Sequence, residues 1–382
     1  MTKKKGPAVH EMWEVLNEAM GRKAGGGGSG KLAAVFDAEG EELRGAQAVR
    51  QEAARRGGEA HQRKAAAVDA LEELLRWIRP DLEEGGAAGV SREGGDWVEA
   101  VCTWRRFKAA LAKAEPDTAV GEDGFSAYLL KRAPEEVQRS YYEALKVVIR
   151  ERAYPEEWLE RVAMLQMKKG EHPANLPRRR DLWVEAHGCK LVMRMLGAEY
   201  ERAADEAVPG SQGGFTRFKA APGRTLILRA QKEQCEAEHT GCYRLYADFG
   251  VFFMSCVREV QSRVERWCGV RVEVTEAVRA LHDSSKGRYE TAYGLTEPFV
   301  YLEGNPQGCT QSPTRSKLML SVIQGAVRKL CKGFEFRGAR RRVPQLWFAD
   351  DGVFMADDMA TLQLALDTLW TVTRVAGLRV IV

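Results

Sequence analysis

The sequence predicts an α+β protein with a helical extension at its N-terminus. Three observations predict it. Several stretches carry apolar residues at the three-and-four spacing of an amphipathic helix, as at Val137, Tyr141, Leu145 and Val148. Tyr243 to Phe253 and Gln345 to Met355 are apolar and aromatic runs of strand length. The 37 Gly and 13 Pro follow no period, which excludes a repeat architecture and leaves them as punctuation between elements. With 45% hydrophobic and 29% charged residues the composition is globular, and 382 residues suffice for a substantial core.

The elements follow in order. Gly25 to Gly30 reads as a flexible joint. Ala46 to Arg79 is rich in Ala, Glu, Arg and Lys, all strong helix formers, and Leu71, Leu74, Leu75 and Ile78 line one helical face. A second Gly-rich joint, Gly85 to Gly95, closes the extension, so residues 1–95 are expected to pack less well than the rest. Pro134-Glu135-Glu136 reads as a first helical turn. Trp158 to Met167 is apolar and ends in Lys168-Lys169-Gly170. A basic loop through Arg178, Arg179 and Arg180 leads to a helix around Lys190 to Glu199. Tyr243 to Phe253 reads as one buried strand, and Gln345 to Met355 as two strands hinged at Asp350-Asp351. Leu362, Leu366, Leu369 and Thr373 mark a final amphipathic helix with Gly377 as its stop. Leu378 to Val382 is strand-like and expected to pair. The boundaries are 1–95, 96–240 and 241–382.

Lys and Arg number 58 against 54 Asp and Glu, a net charge of +4 that neither requires nor excludes a nucleic-acid partner. No apolar run approaches the ~20 residues that span a bilayer. Met1 to Gly6 is basic but lacks the apolar stretch of a secretory signal, so an intracellular protein without a membrane partner is expected. Eight scattered Cys fit reduced thiols. Cys235, His239 and Cys242 cluster, but no second ligand pair follows at finger-like spacing, which argues against zinc.

The sharpest signal is Leu346-Trp347-Phe348-Ala349-Asp350-Asp351-Gly352-Val353-Phe354-Met355, two aspartates inside an apolar segment. Burying unpartnered carboxylates costs several kcal/mol. Either a hairpin turn lifts both into solvent, or they serve as hard oxygen ligands for a cation such as Mg²⁺. Leu245-Tyr246-Ala247-Asp248-Phe249-Gly250-Val251-Phe252-Phe253 repeats the theme with one carboxylate. If the two strands are neighbours, Asp248 and Asp350 meet, and a pair of metal ions for phosphoryl transfer becomes feasible.

Phe348-Ala349-Asp350-Asp351 resembles the aromatic-x-Asp-Asp motif of reverse transcriptases. Asp248 to Ser255 looks like their first palm motif, and Asn305-Pro306-Gln307-Gly308 through Ser312-Pro313 is similar to their Gln-Gly-x-x-x-Ser-Pro motif. The resemblance narrows upstream to the non-LTR (LINE-type) retrotransposon enzymes. Gly121-Glu122-Asp123-Gly124 is similar to their Gly-x-Asp-Gly opening. Tyr154 to Trp158 followed by Lys168-Lys169-Gly170 is similar to their fingers, and Gln212-Gly213-Gly214-Phe215 to their Gln-x-Gly-Phe segment. It covers roughly Asp96 to Val382 well and Lys31 to Arg79 loosely. It implies a right-hand polymerase: fingers and the start of the palm over 96–240, then a palm over 241–382 whose antiparallel sheet packs on helices. The expected chain is truncated before the thumb.

The same resemblance implies an RNA-directed DNA polymerase. It acts on an RNA template, a DNA primer and dNTP, with Mg²⁺ or Mn²⁺, in the nucleus or a cytoplasmic ribonucleoprotein. Asp248, Asp350 and Asp351 would bind metal and carry catalysis. Lys168 or Lys169 and Arg180 would grip the triphosphate, Phe253 would exclude a ribose 2′-hydroxyl, and Gln307 and Gly308 would lie along nucleotide and template, Gly308 by close backbone approach. Arg337, Arg340, Arg341 and Arg342 would track backbone phosphate or simply form a solvated hairpin tip. Two positions depart from the pattern: Phe252 stands where the family generally has Ala, and Met254 where many members have Asp. The alternative is therefore a catalytically silent reverse-transcriptase-like fragment that only binds nucleic acid.

Overall fold

The computed structural model describes residues 31–60, 68–79, 96–121, 123–168, 170–172, 174–176, 179–301, 303–338 and 342–381. Gly25 to Gly30, Gly85 to Gly95, Glu122, Lys169, Arg178, Arg340 and Arg341 lie outside them.

The chain is α+β, with two principal sheets and helices packed on them. The first sheet is antiparallel throughout. Its strands are β5 (Tyr243–Phe249), β9 (Gln345–Phe348), β10 (Asp351–Ala356) and β11 (Val380–Ile381), in the order β11-β5-β10-β9. The second is mixed. Its β3 (Glu160–Met167) pairs antiparallel with β4 (Arg179–Val184) and parallel with β6 (Lys286–Thr291). Two-residue strands β7 (Gly294–Leu295) and β8 (Phe299–Val300) both pair with β6. The predicted terminal strand does pair: Val380 sits opposite Phe249 and Ile381 opposite Asp248. Gly377 precedes it at φ 70, the left-handed stop expected after the last helix.

The main core is built around a buried helix, α13 (Ser312–Leu330), flanked by α8 (His187–Ala207) and α14 (Met359–Val375). Its Leu318, Met319, Val322 and Ile323 are fully buried, and Arg315, Ser321 and Gln324 are buried too, so the helix is enclosed nearly all round, with Arg315 neutralised by Glu265. The helix α6 (Glu135–Glu151) buries Tyr142, Leu145 and Ile149, whereas Val137 is exposed. Of the stripe read from the sequence, Leu145 is buried, Tyr141 and Val148 pack partly buried against the core, and only Val137 faces out. Lys146, which broke the apolar pattern, is buried beside Glu99 and Glu143.

The N-terminal part differs from expectation. A short hairpin, β1 (Ala34–Phe36) and β2 (Glu42–Arg44), precedes α1 (Ala46–Ala60) and α2 (Val68–Ile78). Val35, Val49 and Ala53 join one core with Tyr289 and Phe299 of the mixed sheet. Leu71 and Leu75 enter the main core, and Arg263 pairs with Glu72. These described segments are therefore built into the body rather than loosely appended. Three-residue strands leave no period in a sequence, which is why the hairpin went unseen.

Candidate active site

The site forms where β5 and the β9–β10 hairpin end together. The ladder between β5 and β10 runs from Ala356 opposite Tyr243 to Gly352 opposite Ala247. One step further, Asp351 heads β10 beside Asp248, and directly opposed antiparallel residues share a face with Cβ atoms about 4.5–5.5 Å apart. Asp350 occupies the two-residue turn between Phe348 and Asp351. The paired aspartates thus sit on a hairpin turn, and that turn faces Asp248.

The strand predicted over 243–253 stops at Phe249. Val251 adopts a left-handed φ of 49 and starts a single-turn helix, α10 (Phe252–Ser255). On this helix successive side chains point about 100° apart, which separates the two phenylalanines. Phe252 is 3% exposed and packs on Phe249 at 5.2 Å in the main core. Phe253 is half-buried, 6.5 Å from the ring of Phe215, and its carbonyl accepts from the Asn305 amide at 2.7 Å. Both edges reach the same cleft, as does Met254.

That cleft has a volume of about 540 Å³. Asp248, Asp350 and Asp351 lie along it together with Lys168, Arg180, Phe253, Gln307 and Gly308, so every described residue that the resemblance assigns to metal or nucleotide is brought to one place. Lys169 lies outside the described residues. Arg179 and Arg180 are not on a solvated loop: they begin β4, paired with Met167 and Gln166. Arg179 is buried and donates to the Leu165 carbonyl, while Arg180 stands exposed. Lys168 follows β3 directly, so both cations stand at one end of the β3–β4 pair.

The charges are unevenly matched. Burial pushes the Asp350 carboxyl above the ordinary aspartate range, and the charges of Asp351 and Asp248 push it the same way against Arg180. Asp351 is likewise raised, first by burial and then by Asp248. Among the described residues no three His, Cys, Asp or Glu side chains close into a ready-made metal cage. An open carboxylate set is what Mg²⁺ accepts when substrate phosphates and water complete its shell, and carboxylates raised by mutual repulsion are relieved by a cation. The residues present fit a divalent ion on those grounds.

Gly308 has a reason for its residue type within the fold itself. Its φ is 121, and a Cβ there would meet the Trp183 carbonyl oxygen of β4 at 2.4 Å. The Gln307 carbonyl accepts from the Trp183 amide at 2.7 Å, which ties this loop to the strand bearing Arg180. The described flanks of the arginine-rich segment before β9 are bridged antiparallel, Phe334 to Val343. Arg337 pairs with Glu238, and Arg342 with Glu335 and Asp357, so these two are occupied by acids. Cys235 Sγ donates to the Gly241 carbonyl.

Sequence reasoning missed Gln212 as an individual residue. It is fully buried, its Oε1 accepts from the Ala349 amide at 3.0 Å and the Gly214 amide at 2.8 Å, and its Nε2 donates to the Ala349 carbonyl at 3.0 Å. The only signal was its place in the Gln-x-Gly-Phe segment, which named no contact.

A scan against models of protein families finds no match to this chain, and a search of curated proteins finds no relative. The functional reading therefore rests on the site and on the motifs that compose it.

Proposed function

We propose that the protein is an RNA-directed DNA polymerase resembling the fingers and palm of non-LTR retrotransposon reverse transcriptases. The antiparallel sheet would be the palm and the β3–β4 pair the fingers. The observation that carries the proposal is the single cleft with Asp248, Asp350 and Asp351 together with Lys168 and Arg180. Nucleotidyl transfer needs that pairing: acid to hold cations, and base to hold the triphosphate they help to neutralise.

When bound, Mg²⁺ or Mn²⁺ supplies Lewis acidity at the primer 3′-hydroxyl and the α-phosphate. Asp248, Asp350 and Asp351 would hold it. The remaining work is positioning. Arg180, with a planar fork of donors, suits bidentate contact with a phosphate, and Lys168 adds a point charge. Phe253 stands at the edge of the cleft, where a rigid ring would collide with a ribose 2′-hydroxyl. Gln307 would lie along the incoming nucleotide. The partners are an RNA template, a DNA primer and dNTP, and the setting is the nucleus or a cytoplasmic ribonucleoprotein. Among the described residues no helix is long and apolar enough to cross a membrane.

A second reading has its own observation. Phe252 and Met254 both reach the cleft, and their bulk stands where the resembling enzymes carry smaller or acidic side chains. A silent fold that binds nucleic acid without extending it follows if that bulk excludes dNTP. Primer extension on poly(rA)–oligo(dT), with either metal, separates the two. The proposal expects dT-tract growth, and binding without growth favours the silent fold.

A further inference from the structure

The turn that carries Asp350 is conformationally expensive. Ala349 has a φ of 58, the left-handed region that an alanine enters at a cost and glycine enters freely. Nothing in the residue type explains why the chain holds that shape. The explanation lies 137 positions upstream. The carboxamide of Gln212 brackets Ala349, accepting from its amide and donating to its carbonyl, and accepts a third bond from Gly214. The backbone around Gln212 is fixed too. Gly213 donates to the Trp347 carbonyl at 2.8 Å, and Trp347 donates to the Ser211 carbonyl at 2.9 Å, so the segment lies along β9. A Cβ on Gly214 would fall 1.9 Å from the Ala349 nitrogen, so the approach admits no side chain there.

We infer that Gln212 is the positioning residue of the site: its carboxamide holds Ala349 in the left-handed conformation and thereby sets the Asp350 carboxylate in the cleft opposite Asp248. Gln212 touches no reacting atom. It acts through two backbone groups of the residue before Asp350, and its third bond, from the Gly214 amide, anchors the carboxamide to its own segment. This rests on the polymerase reading for the use made of Asp350, but not for the clamp itself.

The clamp makes a specific coupling prediction. Gln212→Met keeps the volume and removes the three bonds. Without them Ala349 relaxes toward negative φ and Asp350 swings from its place. Mn²⁺ affinity, read from the electron paramagnetic resonance of free Mn²⁺, should fall roughly 5- to 30-fold, the factor set by the left-handed cost on an alanine. Ala349→Gly removes that cost, so in the Ala349→Gly background the same Gln212→Met change should lower affinity only slightly. Gln212→Glu retains the acceptor oxygens and should fall between. Melting temperature is measured on all four members of the cycle, and the glycine should recover most of the stability lost to Gln212→Met. Equal Mn²⁺ binding by wild type and Gln212→Met, or a loss that Ala349→Gly leaves untouched, overturns the inference. If wild type takes up no Mn²⁺ that Asp248→Asn abolishes, the metal reading fails, and the melting cycle alone decides: recovery by glycine sustains the clamp, and its absence overturns it.

Discussion

Phe252 and Phe253 are adjacent, chemically identical and differently placed, because the helical turn that Val251 starts points successive side chains about 100° apart. Phe252 fills the core, so Phe252→Ala should cost about 3–5 kcal/mol, seen in chemical denaturation. Phe253→Ala should cost less and should raise incorporation of ribonucleotides relative to deoxynucleotides. Unchanged discrimination in an active Phe253→Ala enzyme would remove it from sugar selection. The aspartates make a prediction of opposite sign to the usual acid. Because Asp350 and Asp351 titrate higher folded than unfolded, the folded state binds their protons more tightly. Their contribution is present below the unfolded value of about 3.9 and is lost as pH rises through the raised folded values. In the absence of divalent metal, Asp350→Asn should therefore raise the melting temperature at neutral pH and have little effect near pH 3. Mg²⁺ should stabilise the wild type more as pH rises across that window, and the variant less. A melting temperature lowered by Asp350→Asn at pH 7 without metal would refute the electrostatic account.

Single elements decide which residues could be read in advance. Charges inside apolar strands were legible because burial of an unpartnered carboxylate is costly, so Asp248 and the Asp350–Asp351 pair announced themselves. Arg180 was legible only as part of a basic run, and its strand was not, since the polar start of β4 hides the alternation that Leu182 and Trp183 continue. The two-residue strands β7 and β8 carry no readable period. Gln212 was opaque because its bonds are to main chain, which no side-chain pattern records. Gly308 was singled out as close-packed, and within the fold the backbone it approaches is that of Trp183. Gly308→Ala should therefore destabilise the fold by ~1–2 kcal/mol from its positive φ alone, with the clash added, before any nucleotide binds. A stable Gly308→Ala protein defective only in dNTP affinity would return Gly308 to the nucleotide.

At the scale of the molecule, the two sheets meet at the cleft from different parts of the chain, and the N-terminal helices brace them. Leu71 of α2 is fully buried among core residues, so Leu71→Ala should cost about 2–5 kcal/mol, as for any core leucine. Near-neutral stability would show that the extension is an appendage after all. The central claim is that the acid cluster and the facing cations form one nucleotidyl-transfer centre. Single-nucleotide extension of a DNA primer on an RNA template tests it most directly, with wild type beside Asp248→Asn and Asp350→Asn. The account predicts Mg²⁺- or Mn²⁺-dependent addition by the wild type that falls by roughly 10²- to 10³-fold or more in either variant, as when a main electrostatic contributor is lost. Addition that persists in both variants, or wild type that binds primer-template and dNTP yet adds nothing with either metal, would contradict it.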